Sequence, residues 1–88
     1  MPYVYIVQCA DGTFYTGWAN DVTRRIAAHN AGRGARYTRT RRPVTLVYQE
    51  AAPDRSAAMR REAAIKQLDR QQKERLVADG RWPMADSR

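Results

Sequence analysis

Tyr5 and Tyr15 stand on either side of an Asp11-Gly12 pair, within the stretch VYIVQCADGTFYTGW that runs from Val4 to Trp18. Farther along, Arg25 precedes His29 by one helical turn, and Glu62 is followed by two alanines. Phenols and an imidazole can pass protons, a guanidinium holds anions and a carboxylate holds cations. Together these residue types could handle an anionic substrate. Each also has a plainer use. The tyrosines could be core aromatics of a hairpin, Arg25 and Glu62 an internal ion pair that serves only the fold, and His29 a satisfied structural histidine.

Spacing sharpens the choice. Val22, Arg25, Ile26 and His29 follow the i, i+3, i+4, i+7 pattern of one helix face, where a core stripe would be apolar throughout. Ala58, Glu62 and Ile65 follow i, i+4, i+7, so Glu62 also falls on an expected apolar face. A buried charge without a partner costs several kcal/mol. Misfit polar groups on two helices, beside a paired-tyrosine hairpin, favour a site, because breaks from local pattern cluster at functional places.

The elements that must position these residues can be read in order. Tyr3 to Cys9, β-branched and aromatic, predicts a strand. Asp11-Gly12 predicts a tight turn, since that pair accepts positive φ, and Phe14 to Gly17 returns as the partner strand. Asn20 or Asp21 caps a helix over Val22 to Ala31 that Gly32 ends. Gly32 to Arg42 has no apolar periodicity and reads as a loop. Pro43 then breaks the chain before a third strand, Val44 to Glu50. Pro53-Asp54 starts a helix over Arg55 to Leu68, and Asp69 with Gln72 forms a capping box for a shorter helix ending at Gly80. The order β-β-α-β-α-α predicts an α/β (α+β) sandwich, a three-stranded mostly antiparallel sheet flanked by helices. One domain over residues 1–82 is expected, with Trp82-Pro83 folded back and 83–88 a flexible tail.

Composition narrows the function. The 88 residues suffice for one modest core. No apolar run is long enough to span a membrane, and the short apolar start lacks the basic region of a signal peptide, so a cytoplasmic protein is expected. The single cysteine, Cys9, reads as a small buried hydrophobe, and one cysteine with one histidine excludes the usual zinc clusters. Charge points to the partner. Sixteen Lys+Arg against nine Asp+Glu give +7, and fourteen of the sixteen are arginine, whose fork matches phosphate oxygens. Seven arginines and no acid lie between Arg24 and Arg42. Such a one-signed block predicts a nucleic-acid surface.

The motifs carry a resemblance. Tyr3-Val4-Tyr5, Tyr15-Thr16-Gly17, the Arg25-x-x-x-His29 pair and Glu62, in that order across Pro2 to Gly80, resemble the GIY-YIG nuclease superfamily, most of all its small stand-alone bacterial members. The departures are Tyr3 for the first motif's glycine, Val4 for its isoleucine and Thr16 for the second motif's isoleucine. No asparagine after the glutamate helix matches the one some members carry; Lys66 and Gln67 are the nearest candidates. The resemblance implies a DNA endonuclease with Tyr5 and Tyr15 on adjacent strands pointing into one cleft, Arg25 and His29 completing the catalytic set, and Glu62 as metal ligand. A role in DNA repair or recombination goes with it.

Under that resemblance, one carboxylate anchors a single Mg²⁺ (or Mn²⁺) that keeps most of its waters. No small-molecule cofactor is expected. Arg25 would hold the phosphate. One of the two tyrosines would help deprotonate the water, Tyr5 in preference, its phenol pulled below the ordinary value near 10 by Arg25 and the metal, with Tyr15 orienting water or phosphate. His29 would hydrogen-bond the tyrosine or relay its proton. Arg33, Arg36, Arg39, Arg41 and Arg42 would track the nucleic-acid backbone without reading bases, and Tyr37 would stack on a base or anchor the loop. Two other functions fit the same composition: a non-catalytic nucleic-acid-binding module of this fold, and a basic domain that binds acidic proteins.

Overall fold

β-branched and aromatic residues over Tyr3–Gln8 form strand β1, which turns back as β2, Phe14–Ala19. The computed structural model describes residues 1–79. The expectations for Gly80, for Trp82-Pro83 and for a tail over 83–88 fall outside them. The hairpin connection is wider than a two-residue turn. Cys9 leaves the strand to donate its N–H to the Thr13 carbonyl at 2.7 Å, and Asp11 Oδ1 accepts from the Thr13 hydroxyl at 2.6 Å. Gly12, at φ +88°, supplies the left-handed residue.

Asp21, not Asn20, caps α1 (Val22–Asn30), its carboxylate accepting from the Arg24 N–H at 3.0 Å. Gly32, at φ +83°, follows its end. The segment expected to be a loop contains a single helical turn, α2 (Arg36–Arg39). It is too short to show periodicity, and its one buried residue, Thr38, is held by a contact distant in sequence. Strand β3 is Thr45–Ala51. It starts one residue late because the Asn30 side chain takes both backbone groups of Val44, at 2.7 and 3.1 Å. Helix α3 (Arg55–Lys66) is capped by Asp54. It stops before Leu68, whose N–H turns to Ile65. Helix α4 (Arg70–Asp79) opens with the expected reciprocal box, Gln72 N–H to Asp69 at 2.8 Å and Asp69 N–H to Gln72 at 3.0 Å.

The sheet is antiparallel throughout, in the order β2-β1-β3. β1 is central and buried on both faces. Val4 and Ile6 pack with Ala58 and Ile65 of α3, while Tyr5 and Val7 pack with Val22 of α1. A register shift between Ile6 and Val7 leaves Val47 unpaired on β3, a bulge in that strand. Two links set the far layer. Arg61 of α3 donates to Glu50 of β3 at 2.7 Å, and Glu50 also accepts from the Tyr48 hydroxyl. Arg70 of α4 reaches the Gly12 carbonyl at 2.9 Å and lies over the Phe14 ring. Among the described residues, no helix is long and apolar enough to cross a membrane.

Candidate active site

The antiparallel register puts Tyr5 opposite Gly17. A Cβ at Gly17 would lie 2.6 Å from the Tyr5 hydroxyl oxygen and 2.8 Å from Cζ, so the phenol lies across the backbone of β2 where any side chain would exclude it. The strand pair thereby aims the Tyr5 hydroxyl at α1. There it meets Nε2 of His29 at 2.9 Å, both residues being buried. His29 sits in the last turn of α1, and its Nδ1 lies 2.8 Å from the Thr38 hydroxyl.

Tyr15, opposite Val7, sends its ring toward the same histidine, edge-on with centroids 5.3 Å apart. Its other neighbour is Tyr37, stacked at 6.0 Å and 20°. Lys66, from the end of α3, sets its ammonium 5.9 Å from the centre of the Tyr15 ring and 3.4 Å from a Glu62 oxygen. The Arg25–Glu62 ion pair that the sequence allowed does not form. Glu62 pairs with Lys66 one turn on, and Arg25 is exposed, with no ion-pair partner among the described residues.

Electrostatics tie these groups into one site. Burial pushes the Tyr5 phenol up to about 12, with Tyr15 and then Glu62 adding to the rise and Arg25 opposing it. Arg25 pulls the phenol down as expected, but loss of water around a phenolate outweighs that one guanidinium. His29 is pushed below the ordinary imidazole value, by burial first and by Arg25 second. The resting pair is a protonated tyrosine and a neutral histidine. Tyr15, Arg25 and Glu62, from β2, α1 and α3, thus act on the hydroxyl of Tyr5 on β1, and His29 touches it.

The arginine block divides. Arg33, Arg36 and Arg39 are exposed and make no side-chain hydrogen bond or ion pair among the described residues. Arg41 and Arg42 instead hold the segment together. Arg41 pairs with Asp11 at 3.1 Å, donates to the Tyr37 carbonyl at 2.8 Å and covers the Tyr37 ring at 4.0 Å. Arg42 donates to the carbonyls of Arg39, at 2.9 Å, and Asn30, at 3.4 Å. Tyr37, 37% exposed, has Tyr15 stacked on it and Arg41 over it, so it anchors the segment. Thr38 and Gly34 were not found from sequence. Only the tertiary contact with His29 marks them, and the sequence carries no signal for it.

Comparison with known proteins agrees with this fold. The family model described as the GIY-YIG catalytic domain matches residues 1–75. The UPF0213 protein VNG_2274C of Halobacterium salinarum is 59% identical over 86% of this chain and 99% of its own length. The UPF0213 protein SH2523 of Staphylococcus haemolyticus is 57% identical over 88% of this chain and 94% of its own. Among solved structures, the solution NMR structure of the UPF0213 protein BH0048 from Bacillus halodurans has a TM-score of 0.59 at 49% identity, covering 94% of this chain and 89% of that one. The NMR structure of EF2693 from E. faecalis has a TM-score of 0.61 at 38% identity, covering 98% and 92%. A GIY-YIG domain is a nuclease-type fold and implies nucleic-acid binding in general. With the motif glycine lying where Tyr5 requires it, and with relatives aligned over nearly their whole length, this chain belongs to the GIY-YIG family.

Proposed function

We propose that the protein is a DNA endonuclease that hydrolyses phosphodiester bonds, guided by backbone or structure and not by sequence, with one divalent metal ion. The observation that carries this is the buried Tyr5–His29 hydrogen bond, with Tyr15, Arg25 and Glu62 acting on the same hydroxyl. Work in DNA repair or recombination would suit such an enzyme.

The donor set fits a hydrated Mg²⁺. Among the described residues no group of three or more His, Cys, Asp or Glu could cage a metal. Glu62 is a single carboxylate, its side chain 22% exposed. Mg²⁺ keeps several waters and takes one or two carboxylates plus phosphate, and Mn²⁺ accepts the same oxygens. Lys66 is a half-exposed partner whose ion pair costs little to break. When bound at Glu62, the ion would supply Lewis acidity at the phosphate and stabilise the leaving oxygen.

The chain's own groups account for the proton. A free phenolate at Tyr5 is disfavoured, so the proton moves in one concerted relay. Water loses a proton to the Tyr5 oxygen while the Tyr5 proton passes to Nε2 of His29. The new O–P bond forms, the P–O bond to the leaving group breaks, and the leaving oxygen takes its proton from solvent. Arg25 holds the phosphate and meets its growing negative charge. Arg33, Arg36 and Arg39 hold the flanking backbone.

The test compares wild type with Glu62→Gln on labelled linear, flapped and forked DNAs, with Mg²⁺, with Mn²⁺ and without metal. Metal-dependent cleavage is expected, falling by orders of magnitude in the variant, with metal affinity falling and DNA binding retained. Stability should hold, since an i,i+4 pair of this kind contributes about 0.3–0.5 kcal/mol. DNA binding by wild type with no cleavage under any condition would refute the endonuclease and favour a non-catalytic binding module.

A further inference from the structure

We infer that Thr38, seated by Gly34, is a positioning residue that fixes His29 as its Nδ1–H tautomer and so reserves Nε2 for the proton of Tyr5. The consequence for cleavage rests on the proposed function; the tautomer itself does not.

The direction of each hydrogen bond follows from counting protons. Tyr5 keeps its hydroxyl proton and is buried, so it needs an acceptor. Among the described residues, the acceptor hydrogen-bonded to that hydroxyl is Nε2 of His29, since a guanidinium such as that of Arg25 can only donate. Nε2 must therefore be bare, and a neutral imidazole then carries its proton on Nδ1. Nδ1–H points at the Thr38 oxygen, 2.8 Å away. Thr38 is fully buried and has one proton to give, and the Ala35 carbonyl stands 3.1 Å from its oxygen to take it. The series Tyr5 to His29 to Thr38 to Ala35 leaves every member satisfied. Reversing it would aim the His29 proton at a phenol with no acceptor for its own, a buried defect.

The surrounding segment is built to hold this contact. A Cβ at Gly34 would lie 2.2 Å from Nδ1 of His29 and 2.5 Å from Cγ. The missing side chain lets the segment close on the imidazole, and φ plays no part because Gly34 is not in the left-handed region. α2 has no side-chain cap at its start, and its one buried residue is Thr38. Arg41 and Arg42 clamp the turn from its far side through the Tyr37 and Arg39 carbonyls. Two arginines of the basic block therefore also brace the turn that carries Thr38.

His29 is the one histidine of the chain, so the tautomer can be read directly. In a ¹⁵N-labelled sample, a long-range ¹H–¹⁵N spectrum at neutral pH should show Nδ1 as pyrrole-like and Nε2 as pyridine-like. Thr38→Val removes the acceptor and should shift population to the Nε2–H form, whereas Thr38→Ser should restore the wild-type pattern. On cleaved DNA, Thr38→Val should lower kcat about ten- to hundredfold, as loss of an orienting partner does, with KM little changed. Gly34→Ala should reproduce both effects. A wild-type Nε2–H tautomer would overturn the inference, as would a folded Thr38→Val or Gly34→Ala that keeps the Nδ1–H form. Should Thr38→Val not fold, Gly34→Ala decides alone. A tautomer that shifts as expected, in a protein that cuts no DNA, would leave the positioning role standing and remove the endonuclease.

Discussion

Gly17→Ala is the most demanding perturbation of the site, because it adds one methyl group and nothing else. The added carbon would stand 2.6 Å from the Tyr5 oxygen and 2.8 Å from Cζ, well inside contact distance, and the phenol is buried with its oxygen held by His29. Overpacking of this sort costs about 1–3 kcal/mol. Moving the ring also leaves the His29 nitrogen without its donor, roughly 1–3 kcal/mol more. The sum, about 2–6 kcal/mol, should lower Tm by at least roughly 8 °C in a domain of this size. Thermal melts measure that drop, and cleavage per folded molecule should fall with it, since the Tyr5–His29 bond is broken. In a Tyr5→Leu background the same methyl should cost far less, a non-additivity a double-mutant cycle would capture. A variant that melts within a degree or two of wild type would refute the placement of the phenol over Gly17.

Three further outcomes are expected. Tyr15→Phe should leave Tm nearly unchanged, since that hydroxyl has no hydrogen bond among the described residues, whereas Tyr5→Phe should cost about 1–3 kcal/mol by stranding His29; both should depress cleavage, and paired melts and cleavage rates check it. Changing Arg33, Arg36 and Arg39 together to Ala should weaken DNA binding and reduce the salt slope by about 2–3, read by titration at several salt concentrations, while Arg41→Ala and Arg42→Ala should act on Tm. Thr16→Val should raise stability by about 1 kcal/mol in denaturant melts, because the buried Thr16 hydroxyl has no partner among the described residues.

Local chemistry carried most of the fold into the sequence. Alternation and the Asp11-Gly12 pair mark the hairpin, and Asp21, Asp54 and the Asp69–Gln72 box mark three helix starts because their partners lie within three residues. α2 was hidden because a four-residue turn has no periodicity and is held by a histidine nine residues back. The site residues were visible as misfits in helix patterns and through motif resemblance, but their state was not. Tyr5 looked like a phenol that Arg25 would acidify, and only the packing around β1 reveals that burial prevails. Arg41 and Arg42 looked like their neighbours in the basic block. What separates them is a set of backbone carbonyls brought near by the fold.

The central place of β1 also predicts an order of assembly. The hairpin with β2 and the docking of α1 draw on neighbouring sequence, so Tyr5, Tyr15, Arg25 and His29 can assemble early. β3 must first close the long excursion from Gln8 to Thr45 against chain entropy, and α3, which brings Glu62, follows β3. On the proposed mechanism, a half-folded chain would hold its anionic partner before it could cut it. Hydrolysis would then wait on completion of the sheet.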